Sequence, residues 1–452
     1  MAGQRQDYKR FNRREFIRRS ALTSLAVSSG GVLLSACGDD GNGNGNGEEP
    51  AAAANGNGNG PASGDPIVIG ATWPMTGPAA AWGQEPFFAA QIVIESINEN
   101  GGIQSMGGRP LEIVTADHEN APRLVVSETE RLISREDVVI MAGFSSSGAS
   151  AVGRDVVERL EMPCVDFAYA DDLTDGDPHW FFRSSIRTGL LAESGVAFAQ
   201  AMEAERGQEI QRVVLLHEDG PFGTEALEHA AAEIEANTNW DIIDTISYSA
   251  AELSDAAPLI RRMTGENVDV LFASTQVSDG VMAQQAMNEL GFHPMAAIHL
   301  AGAPYNQDFI DALGSEADHV YNAVGFSPAM YDGLGEDKQS IMDRFREEWD
   351  IPVNNHASQA FNMIFTIVDA LERAGTTDNE EVREAIAETD LSWDDSPYLL
   401  APGGVRFNER HDNELAEVFM FQMMDSQLNP VWPEEEALEE AVWPHPEWDG
   451  EA

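Results

Sequence analysis

The sequence predicts an α/β protein of two lobes, each a mostly parallel sheet covered by helices. Three observations carry this. Short apolar runs alternate with helical patterns along the chain. The alternation occurs twice, with a pause between Tyr169 and Val213. The run Val213, Val214, Leu215, Leu216 has no polar alternation, as expected of a parallel strand buried on both faces.

Residues 67–73 form the first apolar run. Phe87, Ala90, Ile94 and Ile97 then share a helical face that stops at Gly101-Gly102. A strand over 111–116, a helix over 123–135, a strand over 138–144, a helix over 147–160 and a strand over 164–169 complete the first series. The second series runs strand 213–216, helix 222–236, strand 242–248, helix 258–263, strand 268–273, helix 282–290 and strand 297–300. A strand over 320–326, two long helices over 338–349 and 358–374, and a strand over 418–423 follow. Near the end of the chain Val431-Trp432-Pro433 recurs as Val442-Trp443-Pro444 around three glutamates. This reads as an acidic tail whose tryptophans pack on the body.

The first 40 residues read as an address. Asn12-Arg13-Arg14-Glu15-Phe16-Ile17-Arg18 has the form of a twin-arginine export signal, with Arg13 and Arg14 as the pair. An apolar run over 21–34 ends in Leu34-Ser35-Ala36-Cys37, a lipobox with Cys37 as the lipidated residue. The run is too short for a spanning helix, which needs ~20 mostly apolar residues. Residues 1–36 are read as the signal and 37–65, rich in Gly and Asn, as a flexible leash. The address places the protein outside the cytoplasm, held to the membrane by lipid.

The chain has 26 basic and 77 acidic side chains. Seven of the basic and two of the acidic ones precede residue 37, leaving 19 against 75 beyond it. Lys338 is the sole lysine in that remainder. Self-repulsion of this size strains a compact fold unless salt screens it, over ~3 Å at 1 M. A halophilic surface is the simplest reading. No basic footprint exists, so nucleic-acid binding is excluded. Apolar residues still make up 43% of the chain, enough for a core. With Cys37 acylated, Cys164 stands alone in an apolar run and reads as a small core residue.

Gly143-Phe144-Ser145-Ser146-Ser147-Gly148 ends a strand and opens a helix. Hydroxyls and free N–H groups at a helix start make an anion site. Plain N-capping by Ser147 explains the stretch equally well. It lacks the G-x-S-x-G spacing of a nucleophile elbow. His217, His299 and His356 stand isolated, and no metal motif or phosphate loop occurs, so neither catalysis nor a cofactor is expected.

Several cues together resemble one family. They are Thr76-Gly77-Pro78 with Trp82-Gly83; Ile97-Asn98-Glu99-Asn100-Gly101-Gly102; Gly108-Arg109-Pro110-Leu111 with Asp117; Ser146-Ser147; and Asp219-Gly220-Pro221-Phe222-Gly223. The chain thereby resembles the branched-chain amino-acid-binding family of type I periplasmic binding proteins, the solute receptors of ABC importers. The resemblance implies a type I periplasmic binding fold: two doubly wound lobes, a cleft between them, and a hinge of three crossovers near 186–190, 326–330 and 397–405. Lobe 1 is then 66–188 with 329–397, lobe 2 is 189–328 with 398–433, and 434–452 is the tail. It further implies a monomer partnered by a membrane permease and its ATPase. A sensor signalling to a membrane partner is the alternative. By position, Ser147 and Gly148 match the carboxylate site, and Ala168 and Ala170 match positions after the fourth strand that bind the carboxylate and amino group. Trp82 and Phe222 match aromatic walls, Gln276 lies near a contact, and Gly302 stands where an ammonium-binding acid is usual. Ala170 replaces a usual Thr. Trp82, Phe144, Tyr169, Phe222 and Tyr305 are expected to line an aromatic-rich pocket suited to an aromatic or aliphatic carboxylate, or to an amide.

Overall fold

The computed structural model describes residues 62–77 and 79–448. Arg13, Arg14, Cys37, the signal, and most of the leash lie outside the described residues.

Lobe 1 is a five-stranded sheet in the order β2-β1-β3-β4-β5, all parallel. Its strands are β1 (Ile67–Trp73), β2 (Leu111–Asp117), β3 (Val138–Met141), β4 (Cys164–Asp166) and β5 (Phe181–Arg183). Helices α1 (Ala81–Glu99), α2 (Pro122–Arg135) and α3 (Ser147–Leu160) make the crossovers. Helix α4 (Thr188–Arg206) then leads into lobe 2.

Lobe 2 repeats the plan. Its parallel strands are β6 (Arg212–Glu218), β7 (Asp241–Tyr248), β8 (Val270–Ser274), β9 (Ala296–Leu300) and β10 (Tyr321–Val324). Helices α5 (Pro221–Asn237), α6 (Ala257–Arg261), α7 (Val277–Leu290) and α8 (Gln307–Leu313) connect them. The chain returns to lobe 1 with α9 (Glu336–Trp349), α10 (Asn355–Ala374) and α11 (Asn379–Ala387), then forms the ribbon β11 (Asp390–Ser392) and β12 (Gly404–Arg406). Strands β13 (Phe419–Met424) and β14 (Gln427–Trp432) extend the lobe 2 sheet antiparallel, in the order β14-β13-β10-β9-β8-β6-β7. Both sheets therefore have a switch point, between β1 and β3 and between β6 and β8. Ligand crevices form beyond the carboxyl ends of strands at such points.

The sequence reading missed α4. Leu191, Ala192, Val196, Phe198 and Ala199 are buried along with Ser194 and Gly195, so small residues blur the apolar face that marks a helix.

The third crossover also moves. Residues 398–413 were expected in lobe 2, but they stay on lobe 1. Asn362 of α10 and Ala401 exchange two hydrogen bonds, β12 pairs with β11, and Asn413 N–H donates to Arg183 of β5. The chain crosses between this docked segment and β13. These are long-range pairings with no local signal.

Lys338 donates to the carbonyls of Trp393 (2.7 Å), Ser396 (3.0 Å) and Leu399 (2.6 Å), with Trp393 beneath it. It staples the returning segment to α9. At the other end Trp443 is buried against Phe198 and Tyr321. Among the described residues no helix is long and apolar enough to cross a membrane.

Candidate functional site

A cavity opens where the two switch points face each other. Lobe 1 lines it with Trp82, Ser145, Ser146, Ser147, Gly148, Phe167, Ala168, Tyr169 and His356; lobe 2 adds Glu218, Pro221, Phe222, Gln276, Gly302 and Tyr305. Seven of the eight expected ligand residues thus meet in one place, although they are spread over more than 200 positions. The eighth, Ala170, does not line it. Its N–H donates to Ser147 Oγ at 3.2 Å, so it stands behind the serine. Phe144 is also displaced from the expected wall. It is fully buried in lobe 1, where the α-carbon of Gly153 leaves room for its ring. Phe167 and His356 take the wall instead.

Among the described residues five helices start at the cavity, and they differ. In α1, which bears Trp82, the N–H groups of Trp82, Gly83 and Gln84 are held by the carbonyls of Ala79 and Ala80. Helix α10, which bears His356, is capped by Asn354. Helix α5 has its first turn occupied, since Glu218 accepts from the N–H groups of Gly220 (2.6 Å) and Gly223 (2.9 Å). Helix α7 carries a capping box between Gln276 and Asp279. Helix α3 begins after Ser146, and no side chain caps it. The residue before the helix is therefore Ser146, and Ser147 is the first residue within it. Plain capping by Ser147 is not what the fold makes. The first N–H groups of a helix have no partner inside it. Those of α3 remain open to an anion, and Ser147 Oγ, which accepts from Ala170, keeps its proton to give.

The loop bearing Ser147 is held from behind. Asp166 is fully buried and accepts from the N–H groups of Phe144 (3.3 Å) and Phe167 (2.8 Å), which ties the ends of β3 and β4 together. Burial pushes its carboxyl up. Gly143 has φ 56, and a Cβ there would lie 2.3 Å from Asp166 Oδ1. Buried Arg183 pairs with Asp412 and donates to the carbonyls of Tyr169 and Ala170.

Gly302 has a structural reason to be glycine. Its φ is 80, and a Cβ would sit 2.4 Å from the Thr275 carbonyl oxygen. No side chain, acidic or otherwise, fits that turn. Glu218, which the sequence reading overlooked, is the acid that reaches the cavity from lobe 2.

His356 is not isolated. Its Nε2 lies 3.1 Å from both Ser145 Oγ and the Trp82 carbonyl, 211 and 274 residues away in sequence. Ser145 Oγ also donates to that carbonyl. A proton on Nε2 satisfies the carbonyl and leaves no lone pair there to activate the serine. Burial lowers the His356 pKa to about 4, and Nδ1 has no partner to orient the ring. The pair lacks the base and the orienting acid that nucleophilic catalysis requires.

Across the cleft the lobes touch. The Tyr169 and Phe222 rings meet edge-on with centroids 6.1 Å apart. Tyr169 OH accepts from Asn355, whose Oδ1 takes the N–H groups of Gly325 and Phe326 at the second crossover. Behind this wall Glu85 is buried, with Oε1 accepting from Asn354 at 3.0 Å and Oε2 unpartnered. Loss of solvation raises its pKa to about 8. Asp171, Glu225 and His229 each bring one donor atom within 4.8 Å of the others, but those carboxylates already hold N–H, hydroxyl and guanidinium groups.

The model of the family described as periplasmic binding protein matches residues 66–427. The chain belongs to that family. Leu/Ile/Val-binding protein homolog 7 of Brucella melitensis is 26% identical over 391 residues, spanning 85% of this chain and 95% of the relative. Homolog 8 of Brucella abortus is 23% identical over 383 residues, 82% and 92% of the two chains. Among solved structures, LivJ of Streptococcus pneumoniae, the substrate-binding protein of a branched-chain amino-acid transporter, was crystallised with isoleucine. It superposes with a TM-score of 0.70 at 18% identity, covering 80% of this chain and 98% of its own. A solute-binding protein of an ABC transporter from Rhodopseudomonas palustris BisB5, in complex with 3,4-dihydroxybenzoic acid, gives 0.67 at 21% identity, covering 84% and 99%. The expected kinship with the branched-chain amino-acid-binding, type I receptors stands, as does the two-lobed α/β fold. This family consists of solute-binding proteins.

Proposed function

We propose that this periplasmic binding protein is the receptor of an ABC importer and captures a small carboxylate-bearing solute by closing its lobes. The observation that carries the reading is the start of α3. Of the helix starts at the cavity, it is the one with neither a side-chain cap nor first-turn N–H groups held by a carboxylate or by preceding carbonyls, and it presents Ser147 and Gly148. Isoleucine and 3,4-dihydroxybenzoic acid, held by two structural neighbours, share only a carboxylate among their charged groups. Trp82, Tyr169, Phe222 and Tyr305 then supply aromatic surface for the rest of an amino acid, amide, or aromatic or aliphatic acid. Export by Arg13-Arg14 and lipidation of Cys37 place the receptor beside its permease on the outer face of the membrane. Substituting Cys37→Ser is expected to release the protein into the medium.

A thermal-shift screen in molar salt tests the reading, with leucine, isoleucine, phenylalanine, 3,4-dihydroxybenzoate, 4-methylpentanoate and short amides. A ligand at ~100 times its dissociation constant adds ~2.7 kcal/mol. Ser147→Ala is expected to weaken a carboxylate hit by ~1–3 kcal/mol, the range for a bond to a charged group. Full affinity in that variant refutes carboxylate capture at α3. The absence of a shift from every solute refutes the receptor reading.

A further inference from the structure

We propose that Glu225 is the latch that holds the two lobes together, a positioning residue that never touches the solute. It lies on α5, one turn beyond Phe222 on the same face of the helix. From lobe 2 its carboxylate reaches a lobe 1 turn and accepts from two consecutive peptide N–H groups, Asp171 (2.5 Å) and Asp172 (2.9 Å). Thr188 Oγ1, at the first crossover, lies 2.7 Å from both Glu225 Oε2 and Asp171 Oδ1. Arg187 pairs with Asp171 at 2.8 Å, and Arg154 of α3 donates to the carbonyls of Asp172 and Asp175. The turn is therefore fixed on lobe 1 from several sides, and from lobe 2 Glu225 grips its peptide N–H groups while His229 of the same helix lies 3.8 Å from the Asp171 carboxylate.

The latch adjoins the carboxylate site. Ala170 N–H is held by Ser147 Oγ, and the next N–H in the chain, that of Asp171, is held by Glu225. One dipeptide thus touches the anion-binding helix start on one side and the opposite lobe on the other. Apparent affinity scales with the fraction of molecules in the competent, closed state. A group that sets this fraction sets affinity from outside the pocket.

The inference rests on the two-lobe capture proposed above, but its test needs no solute, so the two fail separately. Spin labels at Ser127→Cys on lobe 1 and Glu235→Cys on lobe 2 report the interlobe distance by pulsed EPR in molar NaCl. The full chain is used with Cys37→Ser, and buried Cys164 stays unlabelled. Glu225→Ala is expected to lower the ratio of short- to long-distance populations ~10-fold, the size of one lost charged hydrogen bond. Glu225→Gln keeps a single carbonyl oxygen for two N–H groups and falls between, which preserves the test should the alanine variant fold poorly. Glu228→Ala, exposed on the same helix, leaves the distribution unchanged. Hydrogen exchange of the Asp171 and Asp172 amides accelerates by a similar factor in Glu225→Ala. A wild-type distribution with no short-distance population overturns the latch, as does a wild-type distribution in Glu225→Ala.

Discussion

Glu85→Gln isolates one buried charge and gives the sharpest prediction on stability. Glu85 is on α1, 5% exposed, with one carboxyl oxygen bonded to Asn354 and the other without a partner. Burial is the main reason its pKa rises from 4.5 to about 8, and the Asp308 carboxylate of lobe 2 adds to it. The sign follows from proton counting. Between pH 4.5 and 8 the folded state holds a proton on Glu85 that the unfolded state has lost. Stability therefore falls as pH rises through that window, and is not restored above it. At ~1.4 kcal/mol per unit, this shift sets the scale of the loss at ~5 kcal/mol. Glutamine has the same shape, keeps an oxygen for Asn354, and does not titrate. Urea unfolding followed by tryptophan fluorescence in molar NaCl, from pH 5 to 8.5, measures the difference. Glu85→Gln should gain on the wild type steadily as pH rises. Parallel curves, with a gap that widens by less than ~1 kcal/mol, would show that Glu85 ionises freely in the fold and that its burial is not enforced.

Two further predictions concern the body of the protein. If the acidic surface is a halophilic adaptation, unfolding free energy rises steeply between low and molar NaCl as self-repulsion is screened over a few Å, roughly 3 Å at 1 M; a flat profile in a denaturant titration sinks that account. Gly153→Ala places a Cβ 2.4 Å from the fully buried Phe144 ring, which has nowhere to go. Overpacking of this kind costs ~1–3 kcal/mol, more than the ~1 kcal/mol that alanine gains over glycine in a helix, so calorimetry should show a lower Tm.

How much of the site was legible can be followed residue by residue. Ser147 was visible because it stands just past a strand that announces itself by its apolar run, whereas Trp82 was visible only through the family resemblance. Glu218 was passed over because it ends such a run and looks like an ordinary strand boundary. His356 looked isolated because its partners, Ser145 and the Trp82 carbonyl, are 211 and 274 residues away. Gly302 looked like a lost carboxylate. In the fold it is a left-handed turn pressed against Thr275, where no side chain can exist. Ala170 stands at an expected contact position but is a support, since its N–H points to Ser147 Oγ.

By itself the sequence determined the class of the protein. The period of its apolar residues dictates strands and helices, their double alternation dictates two parallel-sheet lobes, and its early segment and charge point to export and salt. These are properties of neighbours along the chain, which local pattern encodes. Only the tertiary structure decided which helix start at the cavity is left open, where the third crossover leaves lobe 1, and that Glu225 spans the lobes. Each of these depends on groups brought within hydrogen-bonding distance from positions tens to hundreds of residues apart. Burial then sets their energies, and no local pattern records burial.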